Sequence, residues 1–249
     1  MTLELTVSPD FSPEHIAGWY VFNTWLQRKL GVRIHLELYE DFSAQRKAIA
    51  DDKVDLIYAN PYDAAMLVRE KGFVAIAAPR GKADEVVIAV PADSPVQSVE
   101  ELQPGLRLAV TRDPDVNLIG MILLESADLG RDNTVTQQVS TYVVLARTLL
   151  QGKADCGFFL KEAFDDLSAP IRRQLRPVMT SQISLVHHVL LVGPRCAELR
   201  DALQALVLGM SDPGSDGRAT LQALGLSGWD RQDQEDTEFM IDLMDTLMV

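Results

Sequence analysis

The chain has 249 residues, 47% hydrophobic and 24% charged, enough to bury one large core or two smaller ones without disulfide or metal staples. Its formal net charge of -13 argues against a nucleic-acid partner, which would need clustered Lys and Arg, and against an anionic membrane surface. No run is long and apolar enough to span a bilayer, and Cys156 and Cys196 fit no metal or redox spacing, so two buried thiols are expected, with a single disulfide left open.

The first elements alternate between strand and helix. Residues 3–8 alternate as a strand, Ser12 reads as an N-cap with Pro13 at the first helical position, and Ile16, Trp19, Tyr20, Asn23, Leu26 and Leu30 follow at helical spacing until Gly31. A strand is expected over 32–39, a helix over 43–50, a strand over 54–58, a helix over 61–71 closed by Gly72, and a strand over 73–78. This order predicts an α/β fold with a mainly parallel sheet covered on both faces. Ligands of such sheets bind at the carboxyl ends of the strands, which singles out residues 8–12 and 58–62.

A second alternating series follows. Residues 84–91 form a strand, Ser98-Val99-Glu100-Glu101 a capping box opening a short helix, and residues 106–110 a strand. A helix over 116–126, a strand over 133–139, a helix over 141–151 and a strand over 155–160 complete it. The two halves echo each other: Lys53-Val54-Asp55 and Lys153-Ala154-Asp155 each stand between a helix and a strand. The tail is helical over 197–209, 217–224 and 235–248. In the last of these, Phe239, Met240, Leu243, Met244 and Leu247 form a stripe that suits packing on the body, with a partner-binding helix as the alternative.

Several of these fragments together resemble the substrate-binding components of phosphate, phosphite and phosphonate ABC importers, a branch of the type 2 periplasmic binding proteins. They are Pro9-Asp10-Phe11-Ser12-Pro13-Glu14, Leu30-Gly31-Val32, and Lys53-Val54-Asp55-Leu56-Ile57-Tyr58-Ala59-Asn60-Pro61. Asp93-Ser94-Pro95-Val96-Gln97-Ser98-Val99-Glu100-Glu101-Leu102 and Leu150-Gln151-Gly152-Lys153-Ala154-Asp155-Cys156-Gly157 complete the set. The resemblance runs from about Thr6 to Pro194. It implies a two-lobed type 2 periplasmic-binding-protein fold with two hinge crossings, near 85–91 and 184–191. Lobe one would be 1–87 plus 188–249 and lobe two 88–187, closing on a small-molecule ligand by hinge motion.

The resemblance also implies site residues. Phe11 stands at the family's aromatic position in the first loop. Tyr58 and Asn60 stand at the aromatic and polar positions after the third strand, and Glu162 where many phosphonate binders place an acid that holds a ligand amine. Three positions depart from the family. Its Ser-Thr-Ser turn is replaced by a stretch carrying Asp113, Asp115 and Asn117, its His by Tyr142 after Thr141, and its late hinge acid by His187. A helix N-terminus suits an oxyanion, but carboxylates there repel one. The expected ligand is therefore neutral, cationic or metal-bearing, or a carboxylate held elsewhere, in preference to a phosphonate.

Each of these residues has a plainer reading. Asp113 or Asp115 can simply cap a helix. His187 and His188, on a strand, would point to opposite faces, so one at most meets a ligand, and a metal site is not expected. Tyr58, Tyr62 and Tyr142 can pack in a core. The sequence carries no Gly-x-Ser-x-Gly elbow, Walker loop, His-Glu-x-x-His or dinucleotide glycine motif, so no catalytic residue and no cofactor are expected. The leading reading is a binding protein whose partner is an ABC transporter membrane component or a sensor kinase. The alternatives are a cytoplasmic enzyme of cofactor biosynthesis on the same fold and a relative that has lost its ligand. With no signal peptide visible, the expected compartment is periplasmic if a leader was removed and cytoplasmic otherwise.

Overall fold

A computed structural model describes residues 2–11 and 13–247. Ser12, the expected N-cap, and Met248, the expected end of the last helix, lie outside the described residues. In chain order the first elements are β1 (Thr2–Val7), α1 (Ile16–Leu30), β2 (Arg33–Glu37), α2 (Phe42–Ala50), β3 (Leu56–Ala59), α3 (Pro61–Lys71) and β4 (Val74–Pro79). Next come β5 (Val86–Pro91), β6 (Leu106–Val110), α4 (Pro114–Leu124), β7 (Thr134–Gln138), α5 (Tyr142–Leu150), β8 (Cys156–Leu160), α6 (Lys161–Asp165), α7 (Ala169–Arg172) and β9 (Leu175–Thr180). The chain ends with β10 (Val189–Val192), α8 (Arg200–Leu208), α9 (Arg218–Ala223), β11 (Trp229–Arg231) and α10 (Gln234–Leu247). The described residues divide into two compact units, one of residues up to 82 with 187–244 and the other of 83–186 with the last residues from 245.

The first unit is built on a six-stranded sheet of order β11-β4-β10-β3-β1-β2. One face carries Leu3, Leu5, Val7, Leu56 and Tyr58 against Trp19 and Phe22 of α1, with Trp229 and Leu203. The other carries Ile57 and Ala59 against Ala48 and Ile49 of α2 and Ala64 and Leu67 of α3. This is the period-two alternation of a sheet buried on both faces. Gly31 and Gly72 end α1 and α3 in the left-handed conformation, at φ 69° and 68°, where only glycine is unstrained.

The second unit has a five-stranded sheet of order β7-β6-β8-β5-β9. Val87, Ala89, Ala109 and Phe159 pack there with Leu145 and Leu149 of α5. Gly120 of α4 lets that helix lie on the sheet, since a Cβ at that position would stand 2.4 Å from the Phe158 ring.

The alternation predicts mainly parallel pairing; the sheet of each unit is instead mixed. β1 pairs in parallel with β2 and β3, and β6 with β7 and β8. But β10 is antiparallel to β3 and β4, and β5 is antiparallel to β8 and β9. Each antiparallel interior strand is the one that follows an exchange between units. It arrives without the helical crossover that keeps consecutive strands parallel. The edge strands β9 and β11 carry Pro177, Arg176, Asp230 and Arg231 and give no alternating signal.

Three smaller expectations are also corrected. Ser98 makes no side-chain cap, and Glu101 reaches back to the Gln97 N–H (2.8 Å), because residues 99–101 form one 3-10 turn, too short for a capping box. His187 and His188 precede β10 and do not lie on a strand. On α10 the buried side is Thr237, Met240, Ile241 and Met244, while Phe239 is 59% exposed. Both cysteines are free and buried. Burial pushes the Cys196 thiol up to about 11 and Cys156 higher still, which keeps both protonated.

The echo between the halves is structural. α2 and α5 have the same length and are capped alike, Asp41 accepting from Ala44 N–H (2.9 Å) and Thr141 from Val144 N–H (3.2 Å). Each helix ends in a turn with positive φ, at Asp52 or Gly152. Asp55 then accepts from the Glu4 N–H at the start of β1 (2.9 Å), and Asp155 from the Arg107 N–H of β6 (2.9 Å). The repeated aspartate thus pins the neighbouring parallel strand in both units.

Candidate functional site

In the first unit the carboxyl ends of β1 and β3 gather a buried polar cluster. Ser8 N–H donates to the Tyr58 carbonyl (2.8 Å), which brings the loop after β1 beside the start of α3. The Asp10 carboxylate is 3% exposed and lies 3.1 Å from His188 Nε2. Burial opposes its charge. The His188 charge and hydrogen bond, with Ser8 and the Asp10 N–H, nevertheless hold the carboxyl below the usual carboxylate range. The Tyr58 ring stacks on His188, centroids 5.0 Å apart, with Trp19 tilted at 5.0 Å and Trp229 edge-on at 5.8 Å.

Beside this cluster Asn60 caps α3, its Oδ1 accepting from Asp63 N–H (2.8 Å), with Pro61 at the first helical position. Because Oδ1 faces an N–H, the amide orientation is determined. Its buried Nδ2 then has no partner among the described residues. Arg46 pairs with Asp63 (2.6 Å) and lies over the Phe42 and Tyr62 rings, at 5.3 and 4.9 Å. Burial, together with the Asp10 charge, holds the Asp63 carboxyl above the usual carboxylate range even though Arg46 and Asn60 pull it down.

In the second unit the corresponding loop leads from β6 into α4. Asp113 caps that helix, Oδ1 accepting from Val116 N–H (3.2 Å), while Oδ2 accepts from the Tyr142 hydroxyl (2.8 Å). Asp115, in the first turn, is 3% exposed. Asn117 donates Nδ2 to the Thr111 carbonyl (2.9 Å), which fixes its amide with Oδ1 shielded from solvent and unpartnered among the described residues. Tyr142 stacks on Phe159, centroids 6.0 Å apart.

The residues singled out in the sequence therefore fall into two groups, each within one unit. Phe11, partly buried against the first core, belongs with Tyr58 and Asn60. Asp115, Asn117 and Tyr142 gather at the start of α4, with Thr141 as the cap of α5. Glu162 is half-buried on the short α6, and half-buried His187 lies with Nδ1 3.2 Å from the His188 carbonyl. Sequence reasoning passed over the Asp10–His188 pair, the Arg46–Asp63 pair and the Asp113–Tyr142 bond. The strand-end rule pointed to the Asp10 loop, but its partner lies far along the chain and left no local signal.

A family model described as "ABC transporter, phosphonate, periplasmic substrate-binding protein" matches residues 5–237. Comparison with curated protein sequences gives no match. Among solved structures, PhnD1 from Prochlorococcus marinus in complex with methylphosphonate is similar, with a TM-score of 0.85 at 12% identity, over 99% of this chain and 98% of that one. XAC2383 from Xanthomonas citri bound to ATP matches with a TM-score of 0.77 at 17% identity, over 99% and 97%. The alkanesulfonate-binding protein SsuA from Xanthomonas axonopodis pv. citri bound to MOPS matches with a TM-score of 0.68 at 14% identity, over 99% and 93%. These likenesses establish the two-lobed periplasmic-binding-protein fold, and the match over nearly all of the sequence establishes the lineage. The chain belongs to the phosphonate-type family of periplasmic substrate-binding proteins, the solute-capturing components of ABC importers.

Proposed function

We propose that the protein captures a small solute for an ABC importer in the periplasm and that this solute presents a hydrogen-bond donor, cationic or neutral, to the start of α4, where a phosphonate's oxyanion would otherwise sit. The observation that carries this reading is Asp113: its carboxylate takes both the Val116 N–H and the Tyr142 hydroxyl. An incoming oxyanion would have to displace one carboxylate from the helix N-terminus and lie beside a second, Asp115. Asn117 Oδ1, without a partner among the described residues, suits a donor as well. The ligand contacts in this reading are Phe11, Tyr58 and Asn60 in the first unit, His187, and Asp115, Asn117, Thr141, Tyr142 and Glu162 in the second. The lobes in this reading are the two compact units. The solute is carried unchanged, and the partner is the importer's membrane component.

Titration calorimetry with methylphosphonate, phosphite and an alkanesulfonate on one side, and amines, amino acids and neutral polyols on the other, tests the reading. Heat of binding is expected only in the second group, weakened by Asp115→Asn when the ligand is cationic. Stoichiometric, tight binding of a phosphonate would overturn it.

A further inference from the structure

The two sheets have four edge strands, β11 and β2 in the first unit and β7 and β9 in the second. A sheet edge exposes unpaired N–H and C=O groups, and proteins guard such edges with charge, proline, brevity or cover. Three of the four are guarded. β2 presents Arg33, His35 and Glu37 on its exposed side. β11 is three residues long and shows Asp230 and Arg231. β9 carries Pro177, which has no N–H to offer, and Arg176, whose guanidinium binds the Ala92, Ser94 and Val96 carbonyls.

β7 has none of these devices. Its sequence is Thr134-Val135-Thr136-Gln137-Gln138, and all but the half-buried Thr134 are exposed, so both faces of the strand meet solvent. Val135 is 61% exposed. No Asp, Glu, Lys or Arg occurs between residues 133 and 146, in a chain whose net charge is -13. From these observations we infer that β7 pairs edge to edge with β7 of a second copy of this chain, joining two five-stranded sheets into one.

The backbone sets the register. The Gly105 N–H donates to the Asn133 carbonyl and the Val139 N–H to the Val110 carbonyl, so odd-numbered residues face β6. By alternation Thr134, Thr136 and Gln138 direct their N–H and C=O groups outward. An antiparallel pairing centred on a two-fold axis at Thr136 places Thr136 against its own copy and Thr134 against Gln138, all as hydrogen-bonded pairs. Thr–Thr is a favourable cross-strand pair. Val135 then meets Gln137 on the other face. A second copy fits this edge better than a charged partner, because no position in the register sets like charges opposite each other in a strongly acidic molecule.

Sedimentation velocity on the full chain, from low micromolar to near-millimolar concentration, tests the inference, with amide exchange read in parallel. The expected result is a monomer–dimer equilibrium with exchange at Thr134, Thr136 and Gln138 slowing as concentration rises. Thr136→Lys should weaken association by about tenfold or more, and an equimolar mixture of Thr136→Lys and Thr136→Glu should restore it. A chain that stays monomeric throughout, or a dimer indifferent to Thr136→Lys, would overturn it.

Discussion

Several buried charges in this protein stand beside a partner that holds them, as Asp10 with His188, Asp55 with Arg195 and Asp63 with Arg46 do. Asp10 is the clearest case: its carboxylate is stable as an anion because His188 stands 3.1 Å away. Its folded-state pKa lies below the ordinary 3.8, so its contribution to stability is complete above that value and is lost as pH falls through the lower folded value. An NMR titration of the Asp10 carboxyl carbon should give a midpoint below 3.8; one above it would contradict the buried pair. His188→Ala strands the carboxylate and should cost about 3 kcal/mol in denaturant unfolding while raising that midpoint. Tyr142→Phe leaves the Val116 N–H on Asp113, so a smaller loss, about 1–2 kcal/mol, is expected from the same measurement.

Elements repeat between the units, but their surroundings set what each repeat contributes. Asp55 and Asp155 occupy matched turns and bind matched backbone amides. Asp55 is fully buried and held in a bidentate pair by Arg195, at 2.7 and 2.9 Å, whereas the Asp155 side chain is 42% exposed beside Arg107. Asp55→Ala should therefore cost about 3 kcal/mol or more and Asp155→Ala about 1 kcal/mol or less, a contrast that urea unfolding of the two variants would measure. Helix contacts are equally particular. A Cβ on Gly18 of α1 would lie 2.1 Å from the Ala223 carbonyl oxygen of α9, so Gly18→Ala should push the helices apart at a cost of about 1–3 kcal/mol despite the gain in helix propensity. A Gly18→Ala variant as stable as the parent would show that α9 yields easily.

Across the whole molecule the net charge of -13 repels itself at low ionic strength. Raising sodium chloride from a few millimolar to physiological strength should raise the melting temperature by screening that repulsion. A falling melting temperature would mean that the pairs, such as Arg46–Asp63 and Arg195–Asp55, outweigh it. In both units helices cover the sheet on the pattern set by period-two alternation, and this pattern is what made the α/β series readable along the chain.

The sequence by itself determined the elements whose signals are local. Helix α3 runs from Pro61 to Lys71 and stops at Gly72 because a capping asparagine and a proline act at its first turn and a glycine with positive φ at its last, each signal local to its own end. The family fragments are local in the same way, each a strand-turn-helix step read in one stretch. Only the tertiary structure decided the rest. The antiparallel insertion of β5 and β10, the pairing of Asp10 with His188 and the fate of Phe239 all depend on groups far apart in the chain. A hydrogen bond or a sheet register between such distant segments is chosen by the packing of the whole unit, and no short-range pattern of residue types encodes it.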